Sequence, residues 1–229
     1  MTDGQADAPP LGRRERKKQE MRAHISGVAT LMFMARGFDA VTVAEIAEAA
    51  DVSAMTVFNY FPRKENLYLD RGPEIVAVLT DAVRDRAEDE PPLASLRRRT
   101  LQLIDDRHPL SGVVDSMGLF LQVVIDSPAL SARWREMSEE AIAALAEVLA
   151  AAAGRTPYDP EVRYVAASVQ TIRDTLTREA ARRTASGERA DAIHPGIRAL
   201  ADRLFDVLER GTGPDWGTAV RPHKDIASL

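Results

Sequence analysis

Between Thr42 and Phe61 the chain must close one short helix, turn, and open another within a few residues. Thr42 and Glu45 form a T-x-x-E capping box. In such a box the hydroxyl accepts from the backbone N–H of Glu45, and the carboxylate reaches back to the N–H of Thr42. Ile46, Ala47 and Ala50 follow at helical spacing. Asp51-Val52-Ser53 then interrupts the pattern. Asp tolerates the left-handed backbone that a sharp turn needs, and Ser53 is a favoured N-cap for the next helix. Val57 and Phe61, four apart, share the inner face of that second helix. Ala54, Met55, Thr56, Asn59 and Tyr60 are left on its other faces.

Two capped helices joined in this way match a helix-turn-helix, whose second helix enters a DNA major groove. Thr and Tyr hydroxyls can donate to phosphates, and Asn can read a base edge with two hydrogen bonds. Any one of these residues taken alone is better explained by a small capped surface helix with one amphipathic Tyr. The flanks favour DNA for the whole. Pro62-Arg63-Lys64-Glu65 sets two cations at a helix start, where each opposes the macrodipole at a cost of about 0.3–1 kcal/mol. A DNA phosphate reverses that sign. Upstream, Arg13-Arg14-Glu15-Arg16-Lys17-Lys18 reads equally as a solvated helix start or as a basic arm that tracks phosphates or a minor groove.

Thr42-Val-x-Glu-Ile-Ala, Val52-Ser53, Thr56-Val57-Phe58-Asn59-Tyr60-Phe61 and Lys64-Glu65, with Gly37-Phe38-Asp39 upstream, resemble the DNA-binding domain of the tetracycline-repressor-like (TetR) family. The resemblance covers roughly residues 17–70. It implies phosphate contacts at Thr42, Ser53, Thr56, Tyr60 and Lys64, and base contacts at Ala54, Met55 and Asn59. Arg63 joins the DNA set as a second cation. Three residues depart from the family pattern. Phe58 stands where many members carry a phosphate-donating Tyr, Asp51 replaces a common Gly, and Arg63 replaces a capping Ser or Thr. The family also implies a homodimer, a double-stranded DNA operator and a small-molecule effector of unknown identity.

The chain has 229 residues, 45% of them apolar, enough to bury a core, and no Cys. Disulfides, thiolate nucleophiles and Cys-ligated metals are thereby excluded. Aromatics make up 5% and no alternating apolar runs mark strands, so an all-α fold is expected. The net charge of −5 suits a DNA-binding chain only once it is divided. Residues 13–71 hold ten Lys/Arg against eight Asp/Glu, while the remainder holds 20 against 27. The positive excess lies in the candidate DNA module, where local charge governs binding. No secretory signal appears in the polar first residues, and the apolar stretch at 117–125 is far short of a membrane span. A cytoplasmic location is expected, and Arg-over-Lys usage with abundant Ala hints at a GC-rich bacterial source.

Along the chain, Met21, Ile25, Val28, Met32 and Ala35 give the first helix one buried face, and Gly37 ends it as a C-cap. Gly72-Pro73 predicts a kink or break in a helix starting near Arg63. After Glu90-Pro-Pro92, Leu93, Leu96, Leu103 and Ile104 mark a helix with Arg97-Arg98-Arg99 mostly on its wet face. Val113–Asp126, apolar nearly all round, reads as a helix sunk in the core. Ser127-Pro128 opens another, carrying Trp134 and Met137, that runs to Gly154. Val165, Val169, Ile172 and Leu176, and then Ile197, Leu200 and Leu204 beyond His194-Pro195, form two apolar stripes. Such stripes can pair with a second copy as a four-helix bundle or pack on their own body. The bundle is also the dimer interface the resemblance implies.

An effector site is expected where the core helix faces Trp134 and Met137, lined by Met117, Phe120, Trp134, Met137, Gln170 and Arg173. Arg173 and Asp174 stand out because charges on a largely apolar helix need partners. No nucleophile elbow, H-E-x-x-H, phosphate loop or metal-ligand spacing is present, so neither an enzyme nor a cofactor or metal site is expected. The expected organisation is a disordered arm at 1–12, a three-helix DNA-binding domain at 13–70 with its motif at 42–61, a larger helical ligand-binding and dimerisation domain at 71–212, and a flexible tail at 213–229. The function expected is a sequence-specific, ligand-responsive transcriptional regulator, in the first instance a repressor on a palindromic operator. The alternative is an all-helical small-molecule-binding protein or enzyme carrying a vestigial DNA module.

Overall fold

The computed structural model describes residues 12–212. The expected disordered arm, apart from Gly12, and the expected flexible tail lie outside the described residues. Those residues form α-helices and one short 3-10 turn, with no strand among them. They divide into two compact units between Asp70 and Arg71.

The first unit holds α1 (Arg13–Arg36), α2 (Val43–Ala49), α3 (Ala54–Tyr60) and the single turn α4 (Glu65–Tyr68). Gly37, at φ 83°, caps α1 by donating its N–H to the Phe33 carbonyl at 2.8 Å. The buried face of α1 differs from the expected one. Ile25, Ser26, Ala29 and Phe33 are buried, Met21, Val28 and Met32 are half-buried, and Ala35 is exposed. The Phe33 ring sets this rotation. It packs 4.9 Å from the Phe38 ring and edge-on to Tyr68 at 5.8 Å. Ile46, Ala47, Val57, Phe61 and Leu67 complete the core.

The second unit holds α5 (Gly72–Arg84), α6 (Pro92–Asp105), the turn Pro109–Ser111, α7 (Met117–Asp126), α8 (Pro128–Ala153), α9 (Pro160–Ala185) and α10 (Ala190–Thr212). Gly72-Pro73 opens α5 and does not kink a continuous helix; the break falls before it, at 69–71. Pro suits a first helical turn, where its missing N–H would have no partner anyway. Pro195 lies inside α10, so that helix starts five residues earlier than the His194-Pro195 signal implies. Helix α9 is central, packing against α7, α8 and α10.

Segment 113–126 is not a helix buried all round. Its helix begins only at Met117, and Leu119 and Ile125 are exposed. Only one side of α7 can meet α9, because Gly118 brings the backbones together: a Cβ at 118 would lie 2.6 Å from the Ala185 nitrogen. Arg97 is not wet either. It reaches Asp202 at 2.9 Å, Asp206 at 2.7 Å and Glu209 at 3.4 Å, and so ties α6 to α10.

Candidate nucleic-acid interface

Both halves of the capping box at Thr42 form. The Thr42 hydroxyl accepts from the Glu45 N–H at 3.2 Å, and Glu45 Oε2 accepts from the Thr42 N–H at 2.7 Å. The same carboxylate accepts from the Thr42 hydroxyl at 2.8 Å and, through Oε1, from Arg36 at 2.7 Å. These donors, the Thr42 backbone first and Arg36 next, bring the Glu45 carboxyl from an ordinary 4.5 down to about 2. Asp51 makes the turn with φ 53°, in the left-handed region. Ser53 then caps α3, accepting from the Thr56 N–H at 3.0 Å.

The module holds its two short helices from behind. Arg22 donates to the Tyr60 carbonyl at 2.7 Å, at the C-terminus of α3, and stacks 4.3 Å from the Phe61 ring centre. A cation there complements the negative end of the helix. His24 bonds the Ala50 carbonyl at 3.1 Å, at the end of α2. Neither residue was legible as a site residue in the sequence, because each partner lies 26 or more positions away. The only local signal is a polar residue between the apolar positions of α1.

With Val57 and Phe61 buried beneath it, α3 turns Ala54, Met55, Phe58 and Asn59 to solvent; Met55 is 69% exposed and Phe58 48%. A large apolar side chain bared to that extent on a polar surface is a common mark of a binding face. The Ser53 and Thr56 hydroxyls share one hydrogen bond at 2.9 Å, which leaves one of their two hydroxyl hydrogens for an incoming phosphate. Tyr60 is half-buried at the helix end, and Arg63 is exposed 3.8 Å from Glu65.

Two residues expected to hold phosphate are engaged elsewhere. The Thr42 hydroxyl hydrogen is spent on Glu45. Lys64 folds back into its own module: Nζ donates to the Phe38 carbonyl at 2.7 Å and sits 4.2 Å from the centre of the Phe38 ring. Burial lowers its pKa, with Asp39 and Glu65 opposing. It anchors the loop after α1, where a phosphate contact was expected.

In the body, the residues expected to line an effector site fall on α7, α8 and α9. Met117 and Gln170 are buried, while Phe120, Trp134, Met137 and Arg173 are half-buried. Gln170 Nε2 donates to Asp174 at 3.2 Å and lies 3.5 Å from the Ser138 hydroxyl, and the Trp134 indole also donates to Asp174. Gln170 Oε1 and Arg173 Nε are buried without a hydrogen-bond partner. Burial pushes the Asp174 carboxyl up and pulls the Arg173 guanidinium down.

The expected dimer stripe requires correction. Val165, Val169, Ile172, Leu176 and Ile197 are buried within the single chain, Val165 fully. They pack α9 and α10 into their own unit and present nothing to a second copy. Leu200 and Leu204 remain half-exposed, on the same side of α10 as Gly196 and Val207, which is 64% exposed.

Residues 27–70 match the bacterial regulatory proteins of the tetR family. The chain is 29% identical over 210 residues to the HTH-type transcriptional regulator TcmR of Streptomyces glaucescens, covering 90% of each. Its fold is shared with a protein of Mesorhizobium loti assigned to the same family, at a TM-score of 0.53 and 18% identity, over 83% of this chain and 98% of that one. The matched segment spans both capped helices and the turn between them, so the likeness to the bacterial regulatory proteins of the tetR family rests on the helix-turn-helix itself and on a 29% identical relative.

Proposed function

We propose that the protein is a homodimeric repressor released from a palindromic operator by a small molecule taken up in its helical body. The outward side of α3 carries this reading: Ala54, Met55 and Asn59 stand exposed over a buried Val57 and Phe61, beside a hydroxyl pair with a hydrogen to spare. Ala54, Met55 and Asn59 face the bases. Ser53, Thr56, Tyr60 and Arg63 serve the phosphates, Thr42 joins them by giving up its bond to Glu45, and Lys64 positions the loop beneath them. The protein works by binding, without chemistry of its own, where bacterial DNA lies, in the cytoplasm.

Two copies join through Leu200, Leu204 and Val207 of α10. Their α3 helices reach successive turns of the groove when about 34–36 Å apart. The effector site lies among Met117, Phe120, Trp134, Met137, Gln170 and Arg173. An effector shifts the population only by the difference in its affinity for the two spacings. A mobility-shift titration against DNA upstream of the protein's own gene tests the reading. A sequence-specific complex at low salt is expected; its absence there, set against equal binding to random DNA, overturns it.

A further inference from the structure

Along α3, a pitch of 3.6 residues per turn sets Ala54, Phe58, Met55 and Asn59 side by side, in that order, across about 140° of arc. All four are exposed, while Val57 and Phe61 point inward and are buried. Asn59 alone among the four carries strong hydrogen-bonding groups on its side chain. The Met55 thioether is a weak acceptor, and Ala54 and Phe58 offer neither donor nor acceptor. No side chain of α3 is charged.

That inventory limits what the face can read in a major groove. Every base pair presents donors and acceptors there, but only one apolar group occurs, the C5 methyl of thymine. Guanine is read chiefly by Arg or Lys, and cytosine by a carboxylate; α3 supplies none of these. Asn suits adenine, with one bond to N7 and one from N6, and the partner of adenine is thymine. Three apolar side chains around one amide therefore favour A·T pairs. The surroundings fit DNA as the occupant. The Ser53 and Thr56 hydroxyls, 2.9 Å apart, keep a hydrogen to give. Arg63 is exposed just beyond the helix, and residues 13–71 carry a positive excess. Phosphates flank a groove and take such groups, whereas an apolar protein surface would strand them.

We infer that Met55 and Phe58 are specificity-determining residues that read thymine methyl groups, so that each operator half-site carries T where α3 enters the groove. The inference rests on the DNA-binding reading above and names the base chemistry it uses. Asn59 sets the register on an adenine, and the two apolar side chains cover the methyls beside it. Phe58 thereby joins the base-facing residues.

The test uses the full chain and duplexes that it selects from a random-sequence pool, remade with deoxyuridine at every thymine. Uracil pairs as thymine does and lacks only the C5 methyl. One buried methyl is worth about fourfold in affinity, and a palindrome loses one or more in each half. Wild-type binding should therefore fall tenfold or more on the uracil duplex. Met55→Ala with Phe58→Ala should separate the two duplexes by less than twofold; both positions are exposed, and Ala favours a helix. A second readout needs no variant: the selected positions most sensitive to replacement should be A·T pairs, and G·C pairs there overturn the inference. Wild-type protein that selects a sequence but binds both duplexes equally loses the inference and keeps the regulator reading. Discrimination retained in full by the double variant likewise overturns the role of these two residues. A pool with no enriched sequence overturns the regulator reading and the inference with it.

Discussion

Glu45 accepts from three donors, two on Thr42 and one on Arg36, and so joins the start of α2 to the end of α1. With its carboxyl at about 2 in the fold against an ordinary 4.5, the native state binds that proton less tightly than the unfolded chain does. Its contribution is complete above pH 4.5 and drains as pH falls toward 2. Hydrogen-exchange protection of the Ile46 and Ala47 amides should fall across that window in the wild type and lose much of that dependence in Glu45→Gln; identical profiles would remove Glu45 from the account. Lys64 makes one hydrogen bond and two ring contacts inward, to Phe38 and Phe33. Lys64→Met should therefore cost about 1–2 kcal/mol of stability and leave the salt dependence of DNA binding unchanged. A slope flattened by about 1 would instead make Lys64 a phosphate contact.

At the scale of elements, α10 separates two roles that its rhythm alone runs together. Leu204→Glu should yield folded monomers in sedimentation velocity, since Leu204 is half-exposed. Val165→Glu should unfold the body, because a charge there has neither water nor partner. A dimer that survives Leu204→Glu moves the interface off this face. The contrast shows where sequence reading works. The caps at Thr42 and Ser53 were legible because their chemistry closes within three residues. The stripe on α9 was legible as buried but not as to what buries it, since periodicity marks a face without naming its partner. The true face of α1 was hidden because an aromatic cluster formed with Phe38 and Tyr68 selects it. Arg173 and Asp174 stood out as anomalous, but the bonds that Gln170 and Trp134 make to Asp174 needed the fold in place.

At the scale of the whole molecule, the net charge of −5 is divided so that residues 13–71 carry the positive share. That share is small, so single charges near α3 matter. Asp51 is one, exposed at the turn and held at φ 53°, where a side chain costs about 1 kcal/mol more than glycine. Asp51→Gly should raise stability by about that amount and tighten operator binding in the same step, checked by thermal unfolding and by titration at fixed salt. If either falls, the turn needs its carboxylate. A single replacement would thus make this protein sturdier and more tenacious at once. If both rise, Asp51 is a brake on residence time on DNA.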